Sequence, residues 1–409
     1  MGNFSIKLPN KESIEMYTLC FILFFSQINL AFHLLVDSLG IGSGFVTEAL
    51  YLIYLLVFSL ILFLNNKRIL GALIYPTILF ILYLFSYMSL GNNFVYVDDN
   101  VTSSLLLFCI PTYIAFYVVK NLSSLNRTLN IFCDFLFWIN IIAIGLNNIM
   151  ATSYLFSDYQ AISYSMIIPF VFFACKDKHS ILDFFKMGLI LLVLLFWGGR
   201  SGVFCALVCI AYRLIKNDSQ FFVKSLYIII ISALLMFFYK DILSWVITLS
   251  NTYEFGGSIA KYSNLGDIFS DSGRSVILDI SFEALKEMPF FGYGIGADRY
   301  YLGVYGFKFG NYPHNIFIEL LLHFGYVVGT TFIILLLRLI YNGFKLIKLQ
   351  KGKGEIFEIC FFSTGFLVLL FSGSYLISPL FYAMMALLIR VDNKQKQNIL
   401  NSVGAYGGR

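Results

Sequence analysis

An all-α, polytopic membrane architecture with about twelve transmembrane helices and one large outer loop is what this sequence predicts. Three observations predict it. Apolar residues make up 59% of the 409 and charged residues only 12%, for a mean hydropathy of +0.81, so most side chains must be dissolved in lipid and not packed around one aqueous core. Apolar runs near the roughly 20 residues that cross a bilayer recur along almost the whole chain. Between them, basic residues alternate from one side to the other.

In chain order the runs lie at 16–36, 46–64, 69–90, 104–119, 128–150, 161–175, 181–198, 202–215, 223–239, 313–337, 356–372 and 374–391. With the amino terminus (Lys7, Lys11) in the cytoplasm, the other cytoplasmic segments hold Lys67 and Arg68, Lys120 and Arg127, Lys176 and Lys178, Arg213 and Lys216, then Arg338, Lys345, Lys348, Lys351 and Lys353. The carboxyl tail adds Arg390, Lys394 and Lys396, whereas the short outer loops hold Asp37, Glu48, Asp98, Asp99 and Asp158. Shifting the count by one span inverts this pattern, so an even number with both termini inside is predicted. The chain divides into 1–239 (nine spans), an outer loop 240–312, 313–391 (three spans) and a cytoplasmic tail 392–409.

Other features narrow the class. The seven cysteines fall in or beside apolar runs, as small core residues do and as a disulfide framework for outer loops does not. The first run leads into Asp37 and not into a small-residue cleavage site, so it reads as an uncleaved span. Topology accounts for the net charge of +5, and no basic surface suggests nucleic acid.

Two outer features break the pattern. Gly198-Gly199-Arg200-Ser201-Gly202 is a tight turn that carries an arginine on the outer side. The segment 240–312 contains an amphipathic helix that Asp271 or Ser272 can cap, with Ile277, Ile280, Ala284, Leu285 and Met288 on one face and Pro289 at its end. Beyond it come Gly292, Gly294 and Gly296, and then Pro313-His314-Asn315 at the mouth of a long apolar helix.

Gly-Arg-Ser-Gly between spans seven and eight, the large loop, Arg274 opening its helix, Pro-Phe-Phe-Gly-Tyr-Gly-Ile-Gly, and His-Asn before a span with Gly325 and Gly329 follow one another in this order. Together they resemble the O-antigen polymerase and O-antigen ligase superfamily. The match lies in 196–202 and 272–329, and the chain departs at His323, where many relatives carry an acidic residue. The resemblance implies a GT-C-like membrane glycosyltransferase in the bacterial inner membrane. Its implied substrates are undecaprenyl-diphosphate-linked glycan donors and acceptors for O-antigen, lipopolysaccharide or capsule, with membrane lipids, a chain-length regulator and a flippase as partners. It implies that Arg200 and Arg274 bind the diphosphate and that His314 activates the acceptor.

The residues argue the same chemistry. No nucleotide is available outside the cell, so joining sugars there needs a lipid-borne leaving group, a base for the attacking hydroxyl and positive charge for the departing diphosphate. Arginine bonds phosphate oxygens bidentately and keeps its charge in a low-dielectric site, which selects Arg200 and Arg274, with Arg299 third. His314 suits the base, because an ordinary imidazole pKa of about 6.5 leaves it mostly neutral at pH 7. Asn315 and Glu319 are supporting candidates, Glu319 by steering an arginine, since an ionisable group inside a span needs a partner. Neither a metal nor a cofactor is expected.

Each assignment has a structural competitor. Interfacial arginines anchor in lipid phosphates, a helix-entry histidine can be satisfied by backbone groups, and the glycines read as a tight loop in the absence of a preceding strand and a Walker lysine. His33, His179 and His323 read as structural, and Tyr300-Tyr301 as interfacial aromatics. Two rival classes are a metal-dependent transferase using Asp37 or Asp98-Asp99 and a twelve-span transporter or flippase. Within the superfamily, polymerase is preferred to ligase because the specific motifs are confined to the loop region.

Overall fold

The computed structural model describes residues 10–39, 44–119, 121–122, 124–149, 159–176, 179–196, 200–216, 274–347 and 353–390, together with Ser244 and Thr248. Every regular element among them is helical, and the chain is a multi-pass membrane protein. The helices are α1 (Lys11–Ser38), α2 (Gly44–Leu64), α3 (Ile69–Leu90), α4 (Val95–Ser104), α5 (Ile110–Val118), α6 (Leu125–Ile149) and α7 (Tyr159–Cys175). They continue with α8 (Ile181–Phe196), α9 (Arg200–Lys216), α10 (Arg274–Lys286), α11 (Asp298–Val304), α12 (Ile316–Ile347), α13 (Lys353–Phe362) and α14 (Pro379–Arg390). Among the described residues six segments are long and apolar enough to cross a bilayer, and Ala161–Cys175, Ser201–Ile215 and Pro379–Arg390 are shorter apolar helices. The expected span 223–239, the cap at Asp271 or Ser272 and the tail 392–409 lie outside the described residues.

Helix α1 is central and packs on α2, α5, α6 and α7. By contrast α2 and α3 present Leu52, Leu56, Phe63, Ile74 and Phe85 outward, an arrangement that is stable only where the solvent is lipid. All seven cysteines are buried and free, as their place in apolar runs requires.

Hydrogen bonds identify the two ends of the bundle. At one end Lys11 Nζ donates to the Leu64 carbonyl at 2.9 Å, Asn121 and Ser124 donate to Glu12 at 3.2 and 2.9 Å, and Arg390 donates to the Phe116 carbonyl at 3.3 Å. The start of α1 and the end of α14 therefore share one end, which an even number of crossings produces. Arg213 Nη2, in the last turn of α9, donates to the Lys176 carbonyl at 2.7 Å just beyond α7. Helix α9 consequently points its first residue, Arg200, toward the opposite end.

Three expectations are corrected. The segment holding Asp98 and Asp99 is the helix α4 and not a loop. Val97 and Val101 are buried on one side of it, the Tyr83 and Thr102 hydroxyls bond to each other, and a π-helical turn, Leu105–Cys109, joins it to α5. The runs 356–372 and 374–391 are not two continuous helices. Helix α13 stops at Phe362, and two short 3-10 turns, Val368–Leu370 and Tyr375–Ile377, cross residues 363–378. Ser378 donates to the Thr364 carbonyl at 2.6 Å, and Ser374 accepts from Leu376 N at 3.3 Å. Irregular backbone persists at membrane depth only where protein groups satisfy it or where it lines a cavity.

The third correction concerns 313–337, which is broken at Gly325 (φ 76°, ψ 174°). A Cβ at Gly329 would stand 2.8 Å from the Leu320 carbonyl oxygen, whereas nine residues of continuous helix would separate the two positions by about 13 Å. The chain therefore folds back, leaving a short stub, 316–324, beside a helix, 326–347, that rises about 33 Å and spans by itself. A Cβ at Gly325 would lie 2.0 Å from the Phe290 carbonyl oxygen, in a backbone region that disfavours side chains. Gly325→Ala is expected to cost at least about 1–3 kcal/mol, read as a lower melting temperature in detergent with new protease cleavage between 286 and 298.

Candidate functional site

The site is assembled at the end of the bundle away from Lys11 and Arg390. Its floor is the stub of α12. The break leaves carbonyls of this stub without helical donors, and the glycine loop supplies them: Tyr293 N donates to Leu322 O at 2.7 Å and Gly294 N to His323 O at 3.0 Å. Gly292, Gly294 and Gly296 all have positive φ, and a Cβ on Gly292 would meet Gly325 N at 2.5 Å. Gly292 permits close approach of two backbones, and a Cβ at Gly294 or Gly296 would meet Ser86 Oγ at 2.5 Å or Val97 Cγ1 at 2.7 Å, so these glycines serve packing. Tyr293 also donates to the Ala284 carbonyl at 2.9 Å and Tyr326 to that of Leu285 at 3.0 Å, tying α10 to the same floor. Ile277, Ser281, Ala284 and Leu285 form its buried face, with Ile280 and Met288 partly covered.

Arg299 is the centre of a buried charge cluster. Its Nη1 donates to both Asp298 oxygens at 2.7 and 2.9 Å and to Glu319 Oε1 at 3.3 Å, while Nη2 donates to Ser374 Oγ at 2.8 Å. The Ser374 hydroxyl donates to Glu319, and Tyr375 N reaches Glu319 Oε2 at 3.3 Å. His323 closes the ring, with Nε2 2.7 Å from Asp298 Oδ1 and Nδ1 2.8 Å from the Tyr375 hydroxyl. The Gly296 amide also donates to Nε2 at 3.1 Å, so this one nitrogen faces both the Asp298 carboxylate and a backbone N–H. Burial alone would raise the Asp298 carboxyl, but the Arg299 guanidinium and the His323 ring beside it outweigh burial and hold the group below the ordinary carboxylate range. Burial alone would likewise lower Arg299, and its two carboxylate neighbours raise it instead.

Asp298, Glu319 and His323 offer ligand atoms within 4.8 Å of one another, a spacing that could hold a metal ion. Here the cationic partner of both carboxyl groups is the Arg299 guanidinium, donating to each from the same Nη1. The set is built around an internal cation.

Above the cluster sits His314, with a left-handed backbone (φ 55°), the one non-glycine residue of positive φ among those described. Such a conformation marks a backbone held by its surroundings. Asn315 holds it: its Oδ1 caps the stub by accepting from Phe317 N and Ile318 N at 3.0 and 3.2 Å, and its Nδ2 donates to the Leu370 carbonyl at 3.0 Å. His314 Nδ1 lies 3.4 Å from the Ser372 carbonyl, to which Tyr164 and Tyr312 also donate. A carbonyl can only accept, so Nδ1 is the donor in this contact. Tyr312 links the two layers, packing on His314 at 4.3 Å between ring centroids and under the Arg299 guanidinium at 5.2 Å.

The structure therefore brings His314, Asn315, Glu319 and Arg299 into one neighbourhood. Arg200 and Arg274 open α9 and α10, and their side chains lie outside the described residues. Phe204, four residues after Arg200, packs on Phe371 at 4.9 Å, directly beside Ser372, so the first turn of α9 borders the His314 layer. Helix α10 packs on α11 and α12. Asp298, Ser372, Ser374 and Tyr375 join the site without having been predicted from the sequence. The Ser372-Gly373-Ser374 interruption of an apolar run and the Asp298-Arg299 doublet were the available signals.

A family model described as O-antigen ligase matches residues 185–333, which include α9, α10, the glycine loop, His314 and the stub. No curated protein matches the chain.

Proposed function

We propose that this membrane protein, which carries an O-antigen ligase family region over residues 185–333, is a polysaccharide polymerase. In this reading it transfers glycan from a polyprenyl-diphosphate donor to a lipid-linked repeat unit on the outer face of the membrane, with inversion and without a metal. The observation that carries the reading is His314, held on left-handed backbone by its Nδ1 contact to the Ser372 carbonyl, next to the first turn of the Arg200 helix. Nε2 takes the proton of the acceptor hydroxyl as its oxygen bonds to the anomeric carbon. The bond from that carbon to the diphosphate oxygen breaks, and the departing pair of electrons is stabilised by Arg200 and Arg274.

Arg299 has a different part here from the other two arginines. Its nitrogens are engaged by Asp298, Glu319 and Ser374, so it holds the stub beneath His314 in place of gripping substrate. The guanidinium also supports the metal-independent reading, because it supplies the cation that these carboxyl groups would otherwise seek.

A broken span also occurs in transporters, but the family match favours glycan transfer. The matched family, O-antigen ligase, favours ligase as a second reading. Deleting the gene separates the two: lost polymerisation leaves single-repeat caps, while lost ligation accumulates long lipid-linked chains. Chemistry is tested with membranes and a polyprenyl-diphosphate oligosaccharide. Arg200→Lys and Arg274→Lys are each expected to raise the donor KM about tenfold or more, since a charge-assisted bidentate contact contributes roughly 1.5–3 kcal/mol. Unchanged donor kinetics in both variants, or activity that requires added magnesium or manganese, would reject the reading.

A further inference from the structure

The cavity beside His314 has walls that specify its occupant. It measures about 310 Å3, at the lower end of the roughly 300–1,000 Å3 of small-molecule sites. Ser26 and Gln27 of α1, Ala161, Tyr164 and Ser165 of α7, and Tyr312 line it, together with the 364–379 link.

Its chemistry follows from three properties. Among the described residues no lysine, arginine, histidine or acidic group lines it, and the neighbouring guanidinium, Arg299, is engaged by its own partners. A phosphate placed here would sit in a low dielectric with no counter-charge from the described walls. Gln27 Oε1 is buried and accepts no hydrogen bond among the described residues, and a buried acceptor in that condition calls for a donor from an occupant. The rest of the wall is apolar, with Leu30, Val368 and Ile377, and the Tyr164 and Tyr312 rings stand at its edge.

Hydrogen-bond donors on one side, apolar C–H faces on another and no charge describe a pyranose ring. The geometry points to a site for one uncharged sugar residue, the acceptor end of the glycan, seated between α1, α7 and the 364–379 link. Tyr312, which lines the cavity and packs on His314, places the mouth of this site at the base. Naming the sugar as acceptor rests on the transferase reading above, but its binding can be measured without turnover.

The test titrates the whole protein in lipid nanodiscs with methyl glycosides of a neutral hexose, a 6-deoxyhexose and an N-acetylhexosamine, read by saturation-transfer NMR. At least one glycoside binds, and the corresponding sugar phosphate binds no more tightly. Gln27→Leu weakens binding up to about tenfold, the range of one lost neutral hydrogen bond. Ala161→Phe, which fills the cavity from α7, removes it. Melting curves check that each variant is folded, and if Ala161→Phe is not, Gln27→Leu decides. The proposal is overturned if no glycoside binds, if Gln27→Leu binds as the wild type does, or if a short prenol displaces the glycoside and so assigns the cavity to a lipid tail. Sugar binding without any transfer from a lipid-diphosphate donor rejects the transferase reading and keeps the site. Transfer with an acceptor KM unmoved by Gln27→Leu rejects the site and keeps the reading.

Discussion

His314→Ala is expected to lower glycan transfer by about a hundred- to ten-thousandfold, the contribution of a positioned general base, when product is measured in membranes supplied with a lipid-diphosphate oligosaccharide. Alanine also loses the side-chain contact to the Ser372 carbonyl at 3.4 Å, which helps to hold the left-handed backbone at φ 55°. His314→Asn separates these effects, because asparagine tolerates that backbone and keeps a hydrogen-bonding side chain but offers no basic nitrogen. The same loss in both variants assigns the defect to the missing base. Wild-type turnover in His314→Asn removes the imidazole from the mechanism.

Arg299→Met destabilises the protein by about 3–5 kcal/mol, because it leaves two buried carboxyl groups without their shared cation. Asp298 and Glu319 are both 0% exposed, so solvent cannot take over. The readout is thermal unfolding in detergent or nanodiscs. Adding Asp298→Asn to Arg299→Met is expected to restore part of the loss, since it removes one of the uncompensated charges. Asp298→Asn alone has a pH signature. The folded carboxyl is held below its ordinary value, so its contribution is complete above the unfolded pKa of about 3.9 and declines as pH falls through the folded value. The gap between wild type and Asp298→Asn is therefore full at neutral pH and closes only below about pH 4. A gap that closed between pH 6 and 8 would reject the ionised assignment.

Composition and charge spacing were enough to read the helical class and most span positions, because hydropathy over 20 residues is a property of the local chain. The amphipathic face at Ile277, Ala284 and Leu285 was readable for the same reason, although the small Ser281 takes the buried place that Ile280 was given. The breaks were not readable. Leu-Leu-Leu-His-Phe-Gly-Tyr-Val-Val-Gly carries an unbroken apolar signal, and a lone glycine is tolerated inside a helix. What stops the helix is tertiary: amide donors from Tyr293 and Gly294 satisfy the carbonyls that the turn at Gly325 releases. Residues 363–378 hid behind their hydropathy in the same way. His314 and Asn315 were found from their position at a helix mouth, and Glu319 from the rarity of an acid in a span. The identity of its partner was not readable, because Asp298, Arg299 and Ser374 meet it only through folding across 20 and 55 positions.

Ser374 and Tyr375 close the ring around Glu319 from the far end of the chain, so the order of biosynthesis matters. The nine-residue stub is shorter than a helix that holds its shape alone, and its caps come partly from residues made earlier and partly from residues made more than fifty positions later. A nascent chain that stops before Ser374 holds Asp298, Arg299 and Glu319 but lacks the hydroxyl and the amide that complete their ring.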